Sequence, residues 1–400
     1  MNILVLNCGS SSVKYKLFDM DSKDVLAQGG VEKIGLKGSF LKLTLSSEQK
    51  VILEGEILEH SMAIEYILGV LLSEKYGCIK SLTEIDAVGH RVVHGGEKFN
   101  ASVKIDDAVI ANMEECIDMA PLHNPPNLKG IQAISELMSE TPQVAVFDTA
   151  FHQTMPAHAY LYGIPYSLYE KYSIRRYGFH GTSHRYVSNR ACEILGITPT
   201  NHKMITCHIG NGASVAAIKN GISVDTSMGF TPVEGLMMGT RSGDVDAGII
   251  TYLLEKEMIG SAGISNMLNK QGGILGVSGV SSDMRELTQA IENGNERAKL
   301  ALDMYNYRLK KYIGSFAAAL DGVDTIVFTG GVGENQSNVR EAVCKGLEYM
   351  GINIDETLNS NSKGIEAIIS KPSSRVTIMV VPTDEEFMIA TDTLNILSQN

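Results

Sequence analysis

The strongest constraint on this chain is a recurrence. An apolar run, Ile3 to Leu6, enters a turn of small residues, Asn7-Cys8-Gly9-Ser10-Ser11-Ser12, and a second apolar run, Val13 to Phe18, leaves it. About 200 residues later Lys203 to Ile209 enters Gly210-Asn211-Gly212-Ala213-Ser214, and Val215 to Lys219 leaves it. Two similar strand-turn-strand units half a chain apart predict duplicated α/β domains rather than one enlarged sheet. Length agrees, since 400 residues exceed what one hydrophobic core usually organises and set the expectation at about two or three domains.

Such turns have a chemistry. With no bulky side chain in the way, backbone N–H groups after a strand can face an anion, and Lys14 follows the first turn. A hairpin without a ligand is the other reading of any one of them, because Gly and Ser are common turn formers. A third apolar strand, Thr325 to Thr329, runs into Gly330-Gly331-Val332-Gly333-Glu334-Asn335. Three Gly-rich turns after three strands point to nucleotide binding. Two familiar forms of it are excluded: Gly9 to Lys14 lacks the second glycine and the Lys-Ser/Thr ending of a P-loop, and Gly331-Val332-Gly333 lacks the third glycine of a dinucleotide fingerprint.

Charge narrows the partners. A net charge of −12 disfavours non-specific binding to nucleic acid or membranes, so basic groups that hold an anionic ligand must be gathered locally. The N-terminus carries no basic leader and too short an apolar run for a signal peptide or a membrane span, which predicts a cytoplasmic protein. Six scattered cysteines without a Cys-x-x-Cys pair read as small buried hydrophobes, not as disulfides or a thiolate zinc site.

Between these landmarks the pattern is mixed α/β. Residues 24–55 alternate as a short antiparallel meander, a helix is expected from Met62 to Glu74, and a strand from Ala87 to Val93. Helical periodicity at 107–119 and 127–138 leads to a strand, Val144 to Phe147, that ends at Asp148. From Asp148 to about Arg176, Tyr and Pro are frequent and periodicity is weak, as in a crossing between domains. Thr182 or Ser183 is the expected cap of a helix that stops at Gly196. A long helix over residues 295–320 precedes the third strand, and a last strand, Val376 to Val381, passes through Pro382-Thr383-Asp384-Glu385-Glu386 into a C-terminal helix.

Candidate chemistry sits beside glycines. Arg91 lies in His90-Arg91-Val92-Val93-His94-Gly95-Gly96, and Arg241 in Met238-Gly239-Thr240-Arg241-Ser242-Gly243-Asp244. A guanidinium holds a carboxylate or phosphate with two parallel hydrogen bonds, although an arginine alone also suits a surface ion pair. His90/His94 and His180/His184 are each spaced by four, which raises zinc as an alternative. His-Gly-Thr-Ser-His, however, lacks the glutamate of the zinc-protease helix, and His180 fits better as a donor to charge developing on a transferring group. Asp148 ends a strand, where ligands of open α/β sheets collect, and suits a magnesium-bound water or the orientation of a phosphoryl group. Glu385 opens a helix, where an acid can equally serve the helix dipole alone.

The runs Leu6-Asn7-Cys8-Gly9-Ser10-Ser11-Ser12-Val13-Lys14, Gly89 to Gly96, Ala120-Pro121-Leu122-His123-Asn124-Pro125-Pro126, Phe147 to His152, Arg176 to His184 and His208 to Gly212 have a further significance. Together with Asp283-Met284-Arg285, Gly331 to Asn335 and Thr383 to Glu386, they make the chain resemble, from end to end, the acetokinase family. That family belongs to the superfamily of acetate and sugar kinases, chaperone ATPases and actin. Cys8 departs from the family's usual Ala without touching a catalytic position.

The resemblance implies a duplicated actin-like (ribonuclease H-like) two-domain α/β fold, with residues 1–149 plus 385–400 in one domain, 150–384 in the other, and an active-site cleft between them. It implies reversible transfer of the ATP γ-phosphoryl to acetate, direct and in line, giving acetyl phosphate and ADP. The implied ion is Mg²⁺, with Mn²⁺ as an alternative, and the implied form is a cytoplasmic homodimer. By the same resemblance Asn7 and Glu385 place the metal, and Lys14 with His208, Ile209, Gly210, Asn211 and Gly212 meets the phosphates. Asp283, Met284 and Arg285, with Gly331, Val332, Gly333, Glu334 and Asn335, hold the adenosine. Arg91 takes the acetate carboxylate, Arg241 and His180 stabilise the transferring phosphoryl, and Asp148 supports magnesium or orients the reactants. Val93, Leu122, Phe179 and Pro232 line a pocket for the methyl group. A propionate or butyrate kinase of the same fold, and an actin-like or chaperone-like ATPase switch, are the rival readings.

Overall fold

A computed structural model describes residues 1–45 and 49–398. They divide into two compact units, Met1–Phe151 with Asp384–Asn400, and His152–Thr383.

The first unit is built on a sheet of β1 (Asn2–Cys8), β2 (Ser12–Asp19), β3 (Asp24–Glu32), β4 (Phe40–Thr44), β5 (Lys50–Glu54), β6 (Ala87–Val92), β7 (Val103–Lys104) and β8 (Gln143–Phe147), in the order β5-β4-β3-β2-β1-β6-β8-β7. The unbroken apolar run of β1 is what a strand buried on both faces requires. Ile3 and Val5 face the C-terminal helix Glu385–Ser398 through Ile389 and Ala390, while Leu4 and Leu6 face the helices His60–Leu72 and Asn124–Leu137 through Ile64, Ile67 and Ile134. The meander expected over 24–55 is β3, β4 and β5, and its residues 46–48 lie outside the described ones.

The second unit repeats the plan. Its strands are β9 (Lys203–Ile209), β10 (Ala213–Lys219), β11 (Ile222–Thr226), β12 (Thr325–Thr329), β13 (Ala367–Ile368) and β14 (Thr377–Val380), ordered β11-β10-β9-β12-β14-β13. In each unit a three-stranded antiparallel meander is extended by two parallel strands, β3-β2-β1-β6-β8 in one and β11-β10-β9-β12-β14 in the other. The two small-residue turns, β1–β2 and β9–β10, therefore occupy equivalent positions, and each parallel strand delivers its C-terminal end to the same side as its hairpin turn.

Four local expectations are corrected. Residues Gly330–Asn335 are not a turn but a short helix starting directly from β12. Gly330 makes this possible: its φ is +75°, and a Cβ there would come within 2.9 Å of the Ile209 backbone. The helix Gly181–Leu195 is entered through His180, in the left-handed conformation (φ +57°), and neither Thr182 nor Ser183 caps it; it does stop at Gly196. The weakly periodic stretch after Asp148 contains short helices at Ala150–Thr154, Ala157–Tyr160 and Tyr166–Tyr172. Of the six cysteines, all free thiols, Cys78 is exposed and the other five are buried. No helix among the described residues is long and apolar enough to cross a membrane.

Candidate active site

In the first unit the ends of β1, β6 and β8 bring Asn7, Arg91 and Asp148 together, and the start of the C-terminal helix adds Glu385. Arg91 grips Asp148 with two hydrogen bonds, Nη2 to Oδ2 at 2.5 Å and Nε to Oδ1 at 3.3 Å. Its Nη1 donates to Asn7 Oδ1 at 3.2 Å, and Glu385 Oε2 lies 3.9 Å from Nε. The Asp148 side chain is only 1% exposed. Burial pushes the Glu385 carboxyl up to about 7, against the pull of Arg91 and with the push of Asp148. More than complementing a helix dipole, Glu385 thus belongs to a compact oxygen-rich cluster around one guanidinium.

Lysines border this cluster. Lys16 Nζ pairs with Asp384 at 3.1 Å and Glu386 at 3.4 Å. Lys14 stands opposite Gly30, which stands opposite Lys42, and the two lysines flank a trough of about 300 Å³ over that glycine. Val93 is buried, with its N–H held by Asn127 Oδ1, whereas Leu122 is 66% exposed.

Every candidate metal donor here is a hard oxygen: the Asn7 amide and the Asp148 and Glu385 carboxylates. That set suits Mg²⁺, which takes one or two protein carboxylates and completes its shell with water and substrate phosphates. Among the described residues no group of three or more His, Cys, Asp or Glu is arranged around a metal-sized site. The zinc alternative fails on direct contacts, because His180 Nδ1 and His184 Nε2 both bond Ser214 Oγ, at 2.9 and 2.8 Å.

In the second unit the counterpart turn carries a different cluster. Left-handed backbone at His180 swings its ring against that of His208, with centroids 4.2 Å apart. Arg241 reaches the same place from its polar loop. Its contacts are neutral and long, Nη1 to Pro232 O at 3.5 Å and to Met238 Sδ at 3.8 Å, and burial alone lowers its pKa. No carboxylate pairs with it among the described residues. Both groups border the space left by Gly212: a Cβ there would lie 3.3 Å from Arg241 Nη1 and 3.6 Å from His180 Nε2. Phe179, buried, accepts a hydrogen bond at its carbonyl from His152 Nε2.

A cavity of about 560 Å³ opens beside this cluster, a size typical of small-molecule sites. Of the residues expected at the adenosine, Asp283, Met284, Arg285, Gly331, Val332 and Asn335 line it, as do Gly210 and Asn211. His208, Ile209, Gly212, Gly333 and Glu334 do not. Glu334 is engaged internally, its Oε1 accepting from Gly330 N at 2.8 Å and Thr383 N at 3.2 Å. Sequence reasoning missed Gly239, Ile274, Ser282, Tyr305 and Gln336. A hint existed for Gly239, which lies in the noted loop; its missing side chain leaves room for Asn211 Oδ1, 2.1 Å from where a Cβ would sit.

The sequence profile of the acetokinase family matches residues 2–391. The chain belongs to the acetokinase family. An acetate kinase from Azobacteroides pseudotrichonymphae is 70% identical over 398 residues, covering all of both chains. The crystal structure of the Porphyromonas gingivalis acetate kinase superposes with a TM-score of 0.96 at 64% identity, over 99% of each chain. A propionate kinase structure from Francisella tularensis superposes at 0.91 with 43% identity, over 98% of this chain and 99% of that one. Acetokinase kinship thus extends over both units, and the duplicated α/β plan is the actin-like fold expected of them.

Proposed function

We propose that this chain transfers the γ-phosphoryl of ATP to acetate, reversibly and with Mg²⁺, giving acetyl phosphate and ADP. The observation that carries this reading is the recess over Gly212, bordered by a half-buried guanidinium with no carboxylate partner among the described residues and by an imidazole edge. Such an arrangement is suited to a dense, transient negative charge. An actin-like or chaperone-like ATPase switch would have little use for it.

The chemical problem is the approach of two anions, since acetate is already ionised at neutral pH and needs no strong base. Arg91 binds the acetate carboxylate, its plane fixed by the two bonds to Asp148, which also orients the reactants. Asn7 and Glu385 hold the ion, with Mn²⁺ as a substitute; when bound, Mg²⁺ neutralises charge on the phosphate oxygens. Lys14, His208 and the Ile209–Gly212 turn meet the phosphates. The 560 Å³ cavity takes the adenosine, with Gly333 and Glu334 shaping its helix from behind. Arg241 and His180 stabilise the in-line transfer, and Val93, Leu122, Phe179 and Pro232 shape the acyl end. The folding domains in this reading are 1–149 with 385–400 and 150–384, and the working form is a cytoplasmic homodimer, both drawn from the family resemblance.

Comparing kcat/KM for acetate, propionate and butyrate tests the reading. One methylene is worth about 1–3 kcal/mol in a fitted pocket, so acetate should lead by about tenfold or more. A lead for propionate or butyrate would move the chain to the longer acids, and ATP consumption indifferent to any carboxylic acid would replace kinase by switch.

A further inference from the structure

Behind His180 stands a row of buried polar side chains. Thr206 on β9 and Ser214 on β10 lie on one sheet face, beneath the helix Gly181–Leu195 that carries His184, and all three are fully buried. The row reads Thr206 Oγ1 to His184 Nδ1 at 2.7 Å, His184 Nε2 to Ser214 Oγ at 2.8 Å, and Ser214 Oγ to His180 Nδ1 at 2.9 Å. We propose that Thr206, His184 and Ser214 are positioning residues forming a one-directional hydrogen-bond relay, which holds neutral His180 with its hydrogen on Nε2, the nitrogen beside the Gly212 recess. The functional consequence rests on the reading of His180 as a donor to the phosphoryl group; the relay itself does not.

The direction follows from counting hydrogens. A neutral imidazole has one donor and one acceptor nitrogen, and a hydroxyl has one hydrogen. Suppose the row ran outward-in, with His180 Nδ1–H donating to Ser214, Ser214 to His184 Nε2, and His184 Nδ1–H to Thr206. The Thr206 hydrogen would then be buried with no acceptor, since among the described residues its hydroxyl has no hydrogen-bond partner besides His184. An unsatisfied buried donor is costly. In the reverse direction every group is satisfied: Thr206 donates to Nδ1 of His184, His184 Nε2–H to Ser214, and Ser214 to Nδ1 of His180. His180 is left with its hydrogen on Nε2.

Neutrality of His184 is supported by its surroundings. Burial holds His184 well below the usual histidine range, with His152 and His208 adding to the effect. His180 is faced by the stacked His208 ring, by His184 through Ser214, and by the Arg241 guanidinium across the Gly212 recess. A neutral His180 follows from the direction of the row, in which Nδ1 accepts from Ser214 and carries no hydrogen of its own. The relay supplies a donor that works above the ordinary histidine pKa.

Two-bond ¹H–¹⁵N correlation of histidine-labelled protein at pH 8 tests this directly, with His180 and His184 assigned from His180→Asn and His184→Asn. Both should show the Nε2–H tautomer in the wild type, and Thr206→Val should depopulate it at both rings while Thr206→Ser keeps it. An Nδ1–H tautomer at either ring in the wild type overturns the relay, as does a Thr206→Val spectrum unchanged from wild type. If Thr206→Val does not fold, the wild-type spectrum alone decides. In kinetics, Thr206→Val should lower kcat about tenfold at pH 8 with KM for ATP and acetate held, a modest loss for a misdirected donor. Tautomers as expected with kcat untouched would leave the relay standing and remove His180 from phosphoryl transfer.

Discussion

The two units share a sheet plan and differ in how they hold charge. In the first, the arginine is matched by carboxylates, Arg91 to Asp148 with Glu385 nearby, and Lys16 is paired with Asp384 and Glu386. In the second, Arg241 has no carboxylate partner among the described residues, and His180, His184 and His208 are bonded to hydroxyls. A balanced cluster suits a ligand that exchanges into an existing set, such as a metal ion or a carboxylate. An unbalanced one awaits negative charge, and its desolvated guanidinium is worth most when that charge appears in the transition state. Duplication supplied two equivalent turns, and side-chain choice gave them opposite electrostatic tasks.

The largest expected effect tests that division through its two arginines. Arg91→Ala and Arg241→Ala should each lower kcat/KM by about a hundredfold to a thousandfold, the scale of a lost electrostatic stabiliser. Their stabilities should part company. Removing Arg91 strands a buried Asp148 carboxylate, and breaking a buried pair from one side costs about 3–5 kcal/mol. Removing Arg241 breaks no ion pair and relieves a desolvated cation, so urea denaturation should show wild-type stability or better. Equal destabilisation in both variants would erase the distinction; near-normal turnover in either would remove that arginine from the site.

A smaller change sharpens the view of the second unit. Gly212→Ala places a methyl group 3.3 Å from Arg241 Nη1 and 3.6 Å from His180 Nε2 without reaching the adenosine cavity. Turnover should fall by about ten- to a hundredfold, the effect of displacing reacting groups by about an ångström. Titration calorimetry with adenosine, which carries no phosphate for the Ile209–Gly212 turn to meet, should show affinity unchanged. Joint loss of turnover and adenosine affinity would mean that the recess and the cavity are one site.

How much of this was legible depends on distance along the chain. The hairpin repeat announced the duplicated sheets because its signal is local, apolar runs around small residues, and the sheet topology follows it strand for strand. Arg91, Asp148 and Glu385 were found because each ends or starts an element. His180 was noticed for its ring, yet its role as the helix entry was not, since Thr182 and Ser183 offered the usual capping chemistry. Ser183 in fact bonds His208 and Thr383. Tyr305 and Ser282 reach the cavity from separate elements, which no spacing rule relates. Arg340 was wholly invisible. Fully buried, it spends its N–H groups on the carbonyls of Gly333, Glu334, Asn359 and Ser362 and the Asn359 amide, securing the helix that borders the cavity.

The smallest effect concerns a histidine outside either cluster. His90, on β6 of the first unit, is buried and bonded only to Gln143, at 2.8 Å, and burial lowers its pKa to about 4. The unfolded chain therefore binds this proton first. Its stability contribution is intact above about pH 6.5 and is lost as pH falls toward 4, where the folded form protonates as well. Between pH 6.5 and 5.5 that slope is worth about 1 kcal/mol. His90→Gln removes the proton site, so its urea stability should fall by that much less over the same interval, whatever its absolute value. The buried histidines His152 and His184 in the second unit titrate alike in both proteins and cancel. Parallel pH slopes would show that His90 gains solvent or a proton acceptor on acidification.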